Sequence, residues 1–261
     1  MKKILALALA LLLTLGAFAL AEGDDLLAQI QARGKIVIAT EGDWAPWTYQ
    51  DENGEWMGLE IEIGRLIAEG LGVEAEFMMT PWDAILAGVD SGRFDIACNG
   101  VGVTEERAEK YAFTEPYVYT EVVLVVRADN EDIQSVDDLA GKTTANTASS
   151  TYASIAEAKG ATVTPVDNLV ETIMLVEQGR VDATINAKAT IEEYLSERPD
   201  ANIKVVEVLA EGEPVAYPLR KGPETETLLA AINEILENAR QDGTLAAISE
   251  KYLGADLTHS E

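Results

Sequence analysis

Twice along this chain, apolar β-branched runs alternate with stretches whose apolar residues recur at helical spacing, and that rhythm leaves few folds open. In the first series, residues 35–39 (KIVIA) read as a strand, 59–72 as a helix, 74–78 as a strand, 82–89 as a helix and 94–98 as a strand. This order is that of a mostly parallel sheet covered by helices. Near Tyr119 the rhythm changes: 122–126 form an unbroken apolar run, and Asp129-Asn130-Glu131-Asp132 mark a polar turn. A second series follows. Asp137-Asp138 lead a short helix, 142–147 form a weak strand, and 152–159 a helix; then strand, helix and strand alternate over 163–166, 169–177 and 181–186. Residues 203–208 make a further strand. After Pro214 and Pro218 the pattern is helical over 224–240 and 245–252, closed by Gly254. The expectation is an α/β protein of two lobes, an arrangement that commonly holds a small ligand between its halves.

Composition narrows the function. The 261 residues carry 46 acidic and 19 basic side chains, a formal net charge of −27. Such a surface repels phosphate, so neither nucleic acid nor an anionic membrane is an expected partner. Cys98 is the single cysteine and His259 the single histidine. An internal disulfide, a Cys/His zinc site and a Ser-His or Cys-His nucleophile therefore lack their parts, and no metal or cofactor is expected. Residues 1–21 read as an export signal: Lys2 and Lys3, an apolar run too short to favour a membrane anchor, and Ala19-Leu20-Ala21 before the cleavage point. No cysteine near that point offers a lipid anchor, so the product is expected free in an extracytoplasmic space.

In open α/β sheets ligands sit beyond the carboxyl ends of the strands, which directs attention to the loops there. The loop after the first strand holds Glu41, Trp44 and Trp47; an indole face there either covers a ligand's alkyl stem or cation, or simply roofs the core. Trp82, at the start of a helix, either closes the same pocket or packs on the sheet. The loop after the third strand, Asn99-Gly100-Val101-Gly102, frees backbone to approach a ligand. Thr104 reads as an N-cap with Arg107 in the first helical turn, where a cation is electrostatically disfavoured. Arg107 either forks onto an anion or pairs with Glu105 or Glu106. In the second series Ser149, Ser150 and Thr151 stand at a helix start, as an anion cradle or as ordinary caps. Asn186, at a strand end, can point an amide into the same cleft.

Over nearly the whole length from Lys35 to Gly254 these residues resemble the polar amino-acid-binding proteins of bacterial ABC importers. The motifs are Thr40-Glu41 with the aromatic-x-Pro-aromatic loop, Leu59-Glu60-Ile61, Pro81-Trp82-Asp83, Ser91-Gly92-Arg93-Phe94-Asp95, Val103-Thr104-x-x-Arg107, Phe113-Thr114-x-Pro116-Tyr117, Asp137-Asp138-Leu139-x-Gly141-Lys142 and Gly179-Arg180-Val181-Asp182-Ala183. The stretch from Ala145 to Tyr152 and Ala183 to Asn186 is most similar to the cystine-binding branch. The resemblance implies a type II periplasmic-binding-protein fold, with two lobes joined by two crossing hinge strands that close on the ligand. Lobe one would comprise 22–118 and 217–261, and lobe two 119–216. It places Arg107 on the ligand's α-carboxylate, helped by backbone around Asn99, Gly100 and Gly102 and by Ser150-Thr151. Glu41, Trp44 and Trp82 would line the side-chain end. The implied partners are an amino acid or related carboxylate and an ABC permease, with the chain acting as a monomer.

The sequence departs from that family at one point. The family ends the strand before its last lobe-two helix with an aspartate that receives the α-ammonium, whereas Asn186 is followed here by Ala187 and Lys188. Glu41 supplies the missing charge, or another acid reaches in, or the ligand is not an ordinary α-amino acid; Lys188 is either part of an acidic-ligand site or a solvated lysine. Two rival functions share the fold: a cyclohexadienyl dehydratase, against which the lack of a cleft histidine and of a matched carboxylate pair counts, and a sensing module that acts through another protein.

Overall fold

The computed structural model describes residues 25–260, so the export signal expected over 1–21 lies outside the described residues. Helix α1 (Leu26–Arg33) starts where the Asp25 carboxylate accepts the Ala28 N–H at 2.8 Å, and it leads into β1 (Lys35–Thr40). A meander of β2 (Asp43–Trp44), β3 (Thr48–Gln50) and β4 (Trp56–Met57) follows. Next come α2 (Leu59–Leu71), β5 (Glu74–Met79), α3 (Trp82–Asp90) and β6 (Ile96–Ala97). Strand β1 lies between β5 and β6, parallel to both, and buries Ile36, Ile38 and Ala39 completely. A strand covered on both faces loses polar alternation, and the KIVIA run reflects that.

The short helix α4 (Glu105–Lys110) and β7 (Tyr111–Phe113) bring the chain to β8 (Val118–Arg127), the first strand of a second sheet. That sheet continues with β9 (Thr143–Asn146), α5 (Thr151–Ala158), β10 (Thr162–Pro165), α6 (Leu169–Glu177), β11 (Ala183–Ala187), α7 (Lys188–Glu197) and β12 (Ile203–Val215). Its order is β10-β9-β11-β8-β12, with β9, β10 and β11 parallel and β8 antiparallel to its neighbours. Strands β8 and β12 pair from Arg127 and Ile203 to Val118 and Val215, and they carry the chain between the two sheets. Just beyond them the rings of Tyr117 and Tyr217 stack 4.3 Å apart. The chain then returns to the first sheet through β13 (Pro218–Arg220), paired with β7, and ends in α8 (Glu226–Gln241) and α9 (Thr244–Leu253). Leu228, Ile232, Leu236 and Leu245 of these helices share a core with Ile63, Ile67 and Leu71 of α2, so the helical end of the chain packs on the first sheet's layer.

Beyond the short strands β2, β3, β4, β7 and β13, which the sequence pattern does not show, three elements differ from expectation. Helix α1 has only Leu26 and Ile30 buried, one i, i+4 pair, too little periodicity to register in the sequence. The third strand is shorter, Ile96–Ala97, although the flanking Asp95 and Cys98 N–H groups still donate to Val37 and Ala39 of β1 at 2.9 and 3.0 Å. Strand β12 runs on past 208 to Val215 and through Pro214. It lies at the sheet's edge, and register shifts along β8 absorb the irregularity.

Candidate ligand-binding site

The loops at the carboxyl ends of the strands in both sheets face each other across one cavity, about 590 Å³ including its mouth, within the range of small-molecule sites. From the first sheet come Glu41 after β1, Trp82 after β5, and Gly100 and Gly102 after β6. From the second come Asn146 at the end of β9, Asn168 after β10 and Asn186 on β11.

Arg107 is placed by local chemistry. The Thr104 hydroxyl accepts the Arg107 N–H at 3.2 Å and so caps α4. The guanidinium enters the cavity wall instead of pairing with Glu105 or Glu106. Its Nη1 donates to the Gly102 carbonyl at 3.0 Å and its Nη2 to the Ser149 carbonyl at 3.2 Å, while Cζ lies 5.4 Å from the Trp82 ring centroid. Those bonds use two of five N–H donors and leave a fork for an anion. Burial lowers the guanidinium's pKa, opposed by the field of Glu213, but an arginine stays charged. Glu213, on β12, was not anticipated. Burial raises its carboxyl pKa, opposed by Arg107. Its Oε1 stands 3.2 Å from where a Cβ on Gly102 would sit, so Gly102 is what allows the approach.

Glu41 is held by Asn99. The Asn99 Nδ2 donates to Glu41 Oε2 at 2.6 Å, and Asn99 Oδ1 accepts the Glu41 N–H at 2.7 Å. Asn99 is itself fully buried and sits behind the wall, so it orients Glu41 from inside the lobe. Burial above all, with Asp43 and Asp83 adding their fields, pushes the Glu41 carboxyl up to about 7 against that hydrogen bond. Asp43 also lines the cavity, so two carboxylates stand near each other where the sequence suggested no matched pair. Trp47 is fully buried; Trp44 stacks on it, ring centroids 5.3 Å apart, and lines the cavity. Trp47 thus roofs the core, and Trp44 is the ring of the two that reaches the cavity. Gly100 takes φ +57°, and a Cβ there would meet the Trp44 ring at 2.7 Å. Its N–H donates at 2.8 Å to Glu60 Oε1, which also receives the Tyr117 hydroxyl. The Gly100 amide is therefore turned into the lobe. Glu60 is fully buried, and that burial pushes its carboxyl up to about 7.

The wall from the second sheet carries no charged side chain. Ser150 caps α5: its Oγ accepts the Ala153 N–H at 3.1 Å and donates to the Thr147 carbonyl at 2.7 Å. Ser149 lies at the rim, where its N–H and Oγ donate to Asp83 Oδ1 at 3.0 and 2.5 Å. Thr151 lines the cavity, as do Tyr152, Asn168, Leu169 and Thr172, none of which except Thr151 was singled out in the sequence. Asn186 is on the wall, its Oδ1 accepting the Ala187 N–H at 2.9 Å. Lys188 points away and pairs with Glu121 at 2.6 Å.

Residues 36–255 match the family of bacterial extracellular solute-binding proteins, family 3. The chain belongs to that family. It is 36% identical over 234 residues, 90% of each chain, to a probable amino-acid ABC transporter-binding protein of Haemophilus influenzae. To the L-cystine-binding protein of Bacillus subtilis it is 35% identical, covering 91% of this chain and 88% of that one. Among solved structures, an ancestral arginine-binding protein bound to arginine superposes with a TM-score of 0.79 at 34% identity, covering 85% of this chain and 99% of that one. The L-cystine solute receptor of Neisseria gonorrhoeae in its unliganded open conformation reaches only 0.60 at 36% identity, over 90% and 100% of the two chains. Sequence distance does not explain that gap. The Arg107 and Asp83 bonds to the Ser149 segment join the two sides of the cavity. An ancestral amino acid-binding protein described as a precursor of cyclohexadienyl dehydratase also matches, with a TM-score of 0.78 at 30% identity over 87% and 99% of the chains.

Proposed function

We propose that this chain captures an amino acid outside the cytoplasm and delivers it to the permease of an ABC importer. The single observation that carries the reading is a capped, cavity-facing Arg107 with N–H donors to spare, opposite a desolvated Glu41. A zwitterion fits such a pair: the carboxylate takes the guanidinium fork and the N–H groups at the start of α5, and the ammonium takes Glu41. Trp44 and Trp82 supply apolar faces for the rest of the ligand. The names of the relatives, for amino acids in general, cystine and arginine, support this class of ligand without choosing among its members. Residues 1–21 serve as the cleaved export signal; 22–118 with 217–261 act as one lobe and 119–216 as the other, closing about β8 and β12.

A thermal-shift screen over amino acids, cystine and dicarboxylates tests the reading, since a ligand at about 100 times its dissociation constant adds about 2.7 kcal/mol. Arg107→Ala removes charge-assisted bonds worth about 1.5–3 kcal/mol each, so calorimetry should show a loss of about 100-fold or more. Unchanged affinity refutes the assignment. One observation favours an enzymatic reading: Glu41, held at about 7 beside Asp43, is poised as a proton donor. Binding without chemistry remains the proposal, and turnover of prephenate or arogenate by the purified protein would overturn it.

A further inference from the structure

Asn146 closes β9 with 2% of its surface exposed and forms part of the cavity wall. Its Nδ2 donates to the Ile185 carbonyl at 2.8 Å and to the Thr184 hydroxyl at 3.3 Å, both on the neighbouring strand β11. A backbone carbonyl can only accept, so these contacts decide which end of the amide is which. The nitrogen is tied into the sheet. The oxygen, Oδ1, is left buried without any hydrogen-bond partner. Buried acceptors are normally satisfied, and one left over on a cavity wall calls for a donor from whatever fills the cavity.

Three other side-chain oxygens of this wall are already engaged. Asn186 Oδ1 holds the Ala187 N–H, Ser150 Oγ is both donor and acceptor within its own loop, and the Thr172 hydroxyl donates to the Asn168 carbonyl at 3.0 Å. Ala187 ends β11 with no polar side chain, and no carboxylate lines the wall from this sheet. An ammonium has three N–H donors, and Glu41 faces it from one lobe only. We propose that Asn146 Oδ1 is the second lobe's acceptor for the ligand's ammonium, so that the amino group is read by a carboxylate on one side and a neutral amide on the other. The inference rests on the amino-acid reading of the site. It makes Asn146 a specificity-determining residue: it demands a hydrogen-bond donor and adds no charge.

The test pairs an amino acid with the same molecule lacking its amino groups, by calorimetry with the analogue titrated to millimolar concentration. L-cystine is paired with 3,3′-dithiodipropionate, and L-arginine with 5-guanidinopentanoate. Asn146→Leu, which keeps the bulk without the acceptor, should weaken the bound amino acid about tenfold and move its analogue less than about twofold, since tenfold corresponds to about 1.4 kcal/mol, the scale of one hydrogen bond. Asn146→Ala, which no packing clash can unfold, should narrow the same ratio. Variants that weaken amino acid and analogue alike, or neither, overturn the role of Asn146 while leaving the site intact. An amino acid other than these two that the thermal-shift screen returns is paired with its own deaminated analogue, and wild-type protein that binds no amino acid in that screen overturns the amino-acid reading and this inference with it.

Discussion

Glu41 offers a quantitative handle on ligand chemistry. Its carboxyl stands at about 7 because burial and the fields of Asp43 and Asp83 outweigh the Asn99 hydrogen bond. An ammonium laid against it favours the ionised form and returns the group at least to the ordinary range, about 4.3 for glutamate. The sign follows directly: the bound state holds fewer protons, so affinity is full above pH 7 and is lost as pH falls through 7. In the free protein about a tenth of the sites are protonated at pH 8 and nearly all at pH 5, so affinity should drop about 75- to 90-fold over that span, about 2.6 kcal/mol. At pH 7 each binding event should release about half a proton. Calorimetry in buffers of contrasting ionisation heat reads both quantities. Glu60 titrates in the same window behind Gly100, and the Glu41→Gln variant separates the two. That variant should bind more weakly at pH 8 and show no pH slope. A wild-type affinity flat from pH 5 to 8, or a slope that survives in Glu41→Gln, refutes the pairing of Glu41 with a ligand cation.

The remaining predictions concern residues around the cleft. Glu60 has a folded-state pKa raised to about 7, so its stabilisation is full below the ordinary carboxylate range and lost as pH rises through 7, about 3 kcal/mol in all. In urea unfolding, Glu60→Gln should therefore gain about 3 kcal/mol on the wild type between pH 4 and pH 8; parallel stability curves contradict this. Asp83 ties Ser149 across the cleft by two exposed bonds, together about 1 kcal/mol. Stopped-flow tryptophan fluorescence should show Asp83→Ala releasing ligand about fivefold faster at nearly unchanged association rate, with Asp83→Asn close to wild type because it keeps an acceptor. Equal release from all three proteins would show that the contact does not hold the lobes together.

The elements most legible in the sequence were those whose cause is local. Strand β1 and helix α2 follow from apolar spacing within a dozen residues, and the placement of Arg107 follows from a threonine three positions earlier. Less legible were residues whose partners are remote in the chain. Nothing near Glu60 says that it holds an amide 40 residues away, and nothing near Ser149 points to Asp83, 66 residues distant. Glu213 lies beyond the strand expected over 203–208, yet pairing with β8 extends that strand and carries the carboxylate to Arg107. Asp43 does not stand out in the sequence, because it is an exposed acid that only its place on the cavity lining distinguishes.

Sequence alone determined the two α/β series, the kinds of side chain at each strand end and the family to which the chain belongs, since periodicity, cap chemistry and motif order are properties of neighbours along a chain. Only the tertiary structure decided which of those side chains share a cavity, which carboxylates are desolvated and which end of the Asn146 amide is left without a partner. Desolvation and hydrogen-bond satisfaction depend on what lies within a few ångströms in space, and here those neighbours come from strands that meet only when both sheets are formed and brought together.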